Sequence, residues 1–588
     1  MPKEKFQNLI IRKQYRYKNQ GFTKKENVGF DTETYQGYAK LICDSDGRYQ
    51  CITNFDDVLK FLTFSNYRNK FNWFYNVRFD FEALIKYLDY GQLINLYNDK
   101  FLKLDNFYLQ YIPKKFFMIT DENNHRYRFY DMYNFLDTSL NSAAKKFLDM
   151  EKMAGVDSAK LNVDKKYWKE YKEKIVLYCI TDALITKKLA DFFWDVVYKN
   201  MQYYPKRPFS KGRISEEYFL DKCYFPSINE IPLKVLEFAY NAYSGGRFEL
   251  LQKGYFEKVY SYDIKSAYPA QIAELIDYTK GKWLKTDKFH PDAYSGFYLC
   301  SVSSLEVYFS PFLKKVGELN VYPNFSQKIY LAKREYEFIE ANFPNASLNV
   351  LSGYEFWEKE RLFPFKTEIE RLYAWKEKEP DETLKYCVKI FLNSLYGKTI
   401  QITDNKTGKL FNPIYAAEIT ESARIKILEL GLQKPESIIM FSTDAVHSTS
   451  PLKIKNNPQL GDFAKDFSGE GVYIMSDVYN LWNDKKQKSR IRGFSVSIEK
   501  DYTSEDILLK DILQEMNNTI YNYTTTRVYH LGECLLHKNK RKLSDMNIFE
   551  KVEKSIDING DKKRNWNADF KSGKEVFKKV ITSEPLFL

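Results

Sequence analysis

Two carboxylates two residues apart, Asp31 and Glu33 in GFDTETYQG, are the first residues in this 588-residue chain whose spacing could do chemistry. On a strand, a period of two sends both side chains to one face. Carboxylates side by side repel each other, and a divalent cation such as Mg²⁺ or Mn²⁺ between them turns the repulsion into a binding site. A solvated edge strand would carry the same pattern. Asp80, in YNVRFDFEALIKYL, falls where a strand-like run meets a helix, with Asn76 four residues before it. In YCITDALI, Tyr178 and Asp182 are four apart and stack on one helical face. A phenol placed there would orient a water while the acid holds a metal, although ordinary helix packing would also place a tyrosine there.

A second set lies further along. The stretch IIMFSTDAVHSTS, residues 438 to 450, puts Asp444 at the tip of a strand, turn and returning strand, a position where Asp also serves purely backbone needs. A partner stands 181 positions earlier, in KVYSYDIKSAYPAQI. There residues 259 to 262 read as a strand, Asp263 ends it, and residues 266 to 268 lead into a turn or helix. Asp263 would reach a cation together with the carbonyl of Ile264, though a helix N-cap role would suit it too. Between the two acids, TLKYCVKIFLNSLYGKTI spaces Lys385, Lys389 and Asn393 by four, with Tyr396 three further on. Gly397 is the expected helix stop. The opposite face, Val388, Phe391, Leu392 and Leu395, would dock the helix and leave its basic side over a cleft suited to a triphosphate. Lys376 and Lys378 are further phosphate candidates.

These residues need a scaffold, and the chain is long enough for several domains. Lys and Arg number 90 against 78 Asp and Glu, a formal charge of +12, and aromatics make up 17%. That combination suits polyanions with stackable bases. Seven cysteines without a CxxC pair or a histidine cluster fit a reducing interior without structural zinc. The start lacks a signal-peptide core and no run approaches ~18 apolar residues, so a soluble chain without a membrane partner is expected. Residues 25 to 200 alternate strand-like and helical runs and read as an α/β unit. NMQYYPKRPFSKGRIS marks a boundary near residue 205. Helices and strands then mix to about residue 500, and the Lys-rich tail from 500 to 588 carries no motif.

The order DTE, NxxxD, YxxxD resembles the three exonuclease motifs of the proofreading domain of DNA polymerases, and DIKSAYP, KIFLNSLYG and STDA are similar to motifs A, B and C of family B DNA polymerases. The resemblance implies a multidomain α/β and α+β fold, a ribonuclease-H-like exonuclease domain followed by a palm, fingers and thumb polymerase module. It implies that Asp31, Glu33, Asp80 and Asp182 hold metals, that Tyr178 positions the attacking water, and that Asn76, Phe79, Ser139 and Leu140 steady single-stranded primer. In the second module it gives the palm metals to Asp263, the Ile264 carbonyl and Asp444, the triphosphate to Lys389 with Lys385, and the nucleotide pocket to Asn393 and Tyr396. Tyr268 becomes the gate against ribose. NAYSGGRFE, with Tyr243, Gly245 and Gly246, resembles the YxGG linker, and Thr420 and Arg424 of TESAR match a primer-binding pattern. IRGFSVS occupies the place of the KxY motif and gives primer contact to Arg492. Motif C departs from the family, with Ser442 where an Asp is usual, which would lower metal affinity or favour Mn²⁺.

The 125 residues from 264 to 388 leave room for the insertion with which protein-primed members dock a terminal protein, so the chain resembles the protein-primed polymerases of phages, viruses and linear plasmids. Only 46 residues, 398 to 443, are left for a second insertion, which must be short or absent. The expected organisation is exonuclease over 1–205 and polymerase over 206–588, with the insertion at 285–360, fingers at 361–400 and thumb at 500–588. Two Mg²⁺ (or Mn²⁺) per site, primer-template DNA, deoxynucleoside triphosphates and a terminal protein are the implied cofactors and partners. A monomer in the host cytoplasm is expected. The alternative is a metal-dependent exonuclease with a degenerate, DNA-binding polymerase half.

Overall fold

The computed structural model describes residues 5–14, 24–303, 307–324, 327–491, 509–536 and 542–588. An eight-stranded sheet is built around the strand Asn27–Tyr35. It runs Tyr49–Cys51, Tyr38–Asp44, Asn27–Tyr35, Phe71–Phe74, Arg126–Asp131, Phe116–Asp121, Phe107–Ile112, Phe101–Leu104. Asn27–Tyr35, Phe71–Phe74 and Arg126–Asp131 are mutually parallel, and the remaining pairs are antiparallel. The thirty-residue helix Lys172–Met201 lies across Asn27–Tyr35. Gly29 makes that closeness possible, because a Cβ there would stand 1.9 Å from the Ala183 carbonyl oxygen.

The core under this sheet is completed by the far end of the chain. Tyr529, Leu531, Cys534, Leu535 and Met546 pack among Val77, Phe81, Leu84 and Leu96. Polar contacts fix the join: Lys86 Nζ donates to the carbonyls of Gln36 (3.0 Å), Ser544 (2.9 Å) and Met546 (2.6 Å), and the Leu531 N–H donates to Glu82 (3.1 Å).

The second sheet is antiparallel and runs Gln487–Ile491, Val478–Trp482, Phe463–Met475, Gln252–Ile264, Ala445–Ser448, Ile438–Ser442, Phe248–Leu250. The interval expected to hold an insertion contains the four-stranded sheet Gly281–Thr286, Leu348–Glu358, Ser295–Val302, Gln327–Ala332 and the helix Lys333–Asn342. The helices Lys366–Lys378 and Glu382–Ser394 pack as a pair. Residues 398 to 443 are filled by a small hairpin, Ile402–Thr403 with Lys406–Thr407, and the helix Pro413–Gly431. Gly397 is not the helix stop expected of it. Leu395, 1% exposed, keeps helical backbone angles, and a second turn, Tyr396–Thr399, carries the glycine within it. Among the described residues no helix is long and apolar enough to cross a membrane.

Candidate active sites

Three elements of the first module converge. Asn27–Tyr35 presents Asp31 and Glu33, Lys172–Met201 presents Tyr178 and Asp182, and Asp80 sits in the first turn of the helix Val77–Ile85. That helix begins at Asn76, whose left-handed backbone (φ 70°) turns the chain sharply out of Phe71–Phe74. Glu33, Asp80 and Asp182 are buried. Burial and then Asp182 and Asp80 push the Glu33 carboxyl up to about 8. Burial, helped by Asp131, pushes Asp80 up to about 7, against a hydrogen bond from Thr32 Oγ1 (2.7 Å). Asp31 is raised by burial, then Asp182, Glu33 and Asp80. Asp182 Oδ1 has no hydrogen-bond partner among the described residues. Such a set of mutually repelling oxygen donors fits a hard divalent cation. Single ligand atoms of Asp31, Glu33 and Cys179 lie within 4.8 Å of one another.

Lys152 was not legible in the sequence. Its Nζ pairs with Asp182 and stands 4.9 Å from the centre of the Tyr178 ring, yet it follows the helix Leu140–Leu148 with no spacing that ties it to the acids. Of the residues expected to meet single-stranded DNA, Asn76 and Ser139 are exposed and Leu140 is half-buried. Ser139 caps Leu140–Leu148 by accepting from the Ser142 N–H (3.2 Å). Phe79 is half-buried against Phe549 of the C-terminal region, with ring centres 5.8 Å apart.

In the second sheet the hairpin Ile438–Ser442 and Ala445–Ser448 lies beside Gln252–Ile264, with Asp263 the register partner of Ala445. The Ile264 N–H donates to the Asp444 carbonyl (2.9 Å), so the two acids are neighbours across strands. Thr443 turns the hairpin with φ 56°. Asp263 is exposed to solvent. Desolvation, then Asp444 and Asp466, push it up to about 7, while Lys488 and Lys389 pull it down. Asp444 is raised by burial and drawn back by Arg490 and Lys389.

The helix Glu382–Ser394 buries Val388, Phe391 and Leu392 and leaves Lys389 and Asn393 exposed. Lys385 pairs with Glu382 (2.7 Å), and Lys376 donates to Ser266 Oγ (2.9 Å) beside Asp263. The Tyr268 ring lies 4.5 Å from that of Tyr396, whose hydroxyl shares a 2.8 Å hydrogen bond with Tyr243. Gly246 abuts Thr443, where a Cβ would stand 2.7 Å from Thr443 Cγ2, whereas one at Gly245 would meet nothing.

Two expected DNA contacts lie below the surface. Thr420 and Arg424 are 0% and 5% exposed, because the helix Pro413–Gly431 runs through the interior. The Thr420 hydroxyl donates to the Ala416 carbonyl (3.1 Å), while Arg424 donates to the carbonyls of Ser244 (2.7 Å) and Gly245 (2.9 Å) and pairs with Glu335 (2.6 Å). Arg424 thus supports the YSGG segment from beneath. Arg492 lies outside the described residues. Just before it, the strand Gln487–Ile491 supplies two cations that sequence reasoning passed over. Lys488 pairs with Asp466 and acts on Asp263, and Arg490 faces Asp477 (3.4 Å) and acts on Asp444. Their period-two spacing in QKSRI was the available signal.

The sequence and the fold have relatives. A family model for DNA polymerase type B, organellar and viral, matches residues 62–426. The DNA polymerase of Acidianus bottle-shaped virus (isolate Italy/Pozzuoli) is 28% identical over 279 residues, 43% of this chain and 40% of that protein. A probable DNA polymerase of Ascobolus immersus is 26% identical over 423 residues, 60% of this chain and 34% of its own. The chain therefore spans well under half the length of either relative. Phi29 DNA polymerase, solved as a ternary complex with primer-template DNA and incoming nucleotide substrates, matches with a TM-score of 0.61 at 15% identity, over 91% of this chain and all of that one. Its orthorhombic crystal form gives 0.59 at 16% identity, over 82% and 94%. The chain shares the mixed α/β multidomain fold of phi29 DNA polymerase. The chain belongs to the type B DNA polymerases of organelles and viruses.

Proposed function

We propose that this protein is a template-directed DNA polymerase with a 3′-to-5′ exonuclease, started from a terminal protein in the replication of a viral or plasmid genome. The observation that carries the reading is the meeting of Asp263 and Asp444, 181 positions apart in sequence and joined across one strand pair. Asp263, the Ile264 carbonyl and Asp444 would hold two Mg²⁺, with Mn²⁺ as a substitute. Cations held there would assist ionisation of the primer 3′-hydroxyl and offset charge at the α-phosphate. Lys389, projecting from its docked helix, binds the triphosphate. Tyr268, backed by Tyr396 and through it Tyr243, closes the space beneath the sugar, where a 2′-hydroxyl would find no partner. Arg424 and the close approach of Gly246 to Thr443 keep the YSGG linker in register with Asp444.

In the exonuclease, Asp31, Glu33, Asp80 and Asp182 would hold the cations, Tyr178 orients the attacking water, and Lys152 fixes the Tyr178 and Asp182 side chains. Asn76, Phe79, Ser139 and Leu140 take the frayed 3′ end. The folded unit within 281–358 is the surface assigned to the terminal protein, a role tested by asking whether a labelled deoxynucleotide becomes covalently linked to a candidate protein.

Primer extension decides the main reading. Asp263→Asn or Asp444→Asn should abolish extension and spare degradation of single-stranded DNA; a double variant that still extends primers would overturn it. Ser442 favours a second reading, an exonuclease whose polymerase half only holds DNA, and that reading stands if the native chain degrades but never extends.

A further inference from the structure

Ser442 leaves the hairpin that carries Asp444 without a second acid, but a carboxylate arrives from elsewhere. Asp477 occupies the two-residue turn between Phe463–Met475 and Val478–Trp482. It is 1% exposed and left-handed (φ 64°), and the turn is anchored where Ser476 donates through its N–H (2.9 Å) and its hydroxyl (2.8 Å) to Asp561. One Asp477 oxygen, Oδ1, does two things: it accepts from Ser442 Oγ (3.3 Å) and it faces Arg490 Nε (3.4 Å). The Arg490 side chain is half exposed, and its guanidinium lies 5.9 Å from the ring centre of Phe248, the register partner of Ser442. It is therefore a half-exposed cation beside the end of the strand that leads to Asp444. Its field already reaches Asp444, alongside that of Lys389. Tyr479, the register partner of Arg490, lies in the same group with Asp263.

We infer that Asp477 is a positioning residue of the polymerase centre, holding Arg490 off Asp444 so that the two palm aspartates remain open to a divalent cation. The inference rests on the polymerase reading above. A guanidinium released from Asp477 would have Asp444, whose carboxyl it already influences, as an alternative anion, and an Arg–carboxylate pair would compete directly with a metal. An acid delivered by a neighbouring turn thus serves motif C through Arg490, with Ser442 as the hydroxyl that orients it.

The test uses the full chain with the exonuclease acids silenced by Asp31→Ala and Asp182→Ala, so that Mn²⁺ binding, followed through the paramagnetic resonance signal of the free ion, reports the palm. Asp263→Asn in this background should abolish that binding; if it does not, the polymerase reading fails, whatever Asp477 does. Asp477→Asn should weaken Mn²⁺ binding and raise the Mg²⁺ needed for half-maximal extension, each roughly tenfold, the equivalent of about 1.4 kcal/mol. Adding Arg490→Gln should restore Mn²⁺ binding, which loss of a merely structural residue would not allow. Unchanged binding in Asp477→Asn, or no recovery in the double variant, overturns the inference. Should Asp477→Asn fail to fold, Arg490→Gln alone decides. It should tighten Mn²⁺ binding, and unchanged or weaker binding overturns the proposal.

Discussion

Glu33 and Asp80 hold protons more tightly in the folded chain, near 8 and 7, than their ordinary values of 4.5 and 3.8. A raised carboxyl favours the folded state while protonated, so stability falls as pH climbs from about 4 toward 8. Without metal, the protein should melt at a lower temperature at pH 8 than at pH 6. Added Mg²⁺ should raise the melting temperature more at pH 8, where fewer protons must be displaced. Glu33→Gln should flatten the dependence, and an equal metal effect at both pH values would contradict it. In the palm, Tyr268→Val should relax discrimination against ribonucleotides by roughly 100-fold, measured as the ratio of kcat/KM for deoxy and ribo substrates. Asp31 with Glu33 and Tyr178 with Asp182 were legible because strand and helix periods reveal which side chains share a face, whereas Tyr268 was named only through the resemblance of DIKSAYP to motif A. Lys152 was not legible, and the period of two in QKSRI shows only that Lys488 and Arg490 share a strand face, because each meets its acid through tertiary contact.

The helix Glu382–Ser394 shows what an apolar period can reveal about an element. Val388, Phe391 and Leu392 are at most 1% exposed, as their spacing predicted, and Phe391 packs edge-on to Tyr203 (5.7 Å) and Tyr218 (5.4 Å). Phe391→Ala should cost about 3–5 kcal/mol in denaturant unfolding, with extension lost in parallel as Lys389 loses its platform. The burial of the helix Pro413–Gly431, on which Thr420 and Arg424 stand at i and i+4, escaped sequence reading for the opposite reason. Its polar residues suggest a surface, but Glu418 accepts from Tyr278 and Ser295 and Arg424 pairs with Glu335. Burial of paired polar groups leaves no mark in a one-dimensional pattern.

Across the molecule, the two centres draw on separate acids. Asp31→Ala with Asp80→Ala should stop 3′ excision and leave primer extension, and persistent trimming by that variant would refute the assignment of the editing site. Both motif sets and their order were legible, since each acid sits in a short recognisable string. The C-terminal region was not, because it docks through scattered residues such as Leu531, Cys534 and Met546. Lys86 is the centre of that join. Lys86→Met should leave the carbonyls of Ser544 and Met546 short of a donor and weaken the docking by about 1–3 kcal/mol, read as faster amide exchange at residues 529–536 and 542–547.

That join has a consequence for biosynthesis. The ribosome releases the strands of the first sheet hundreds of residues before it makes the five side chains that seal their core. A sheet made early is thus sealed only after most of the chain has followed, and a nascent chain stalled ahead of residue 529 would display a sticky apolar seam to chaperones and to its neighbours.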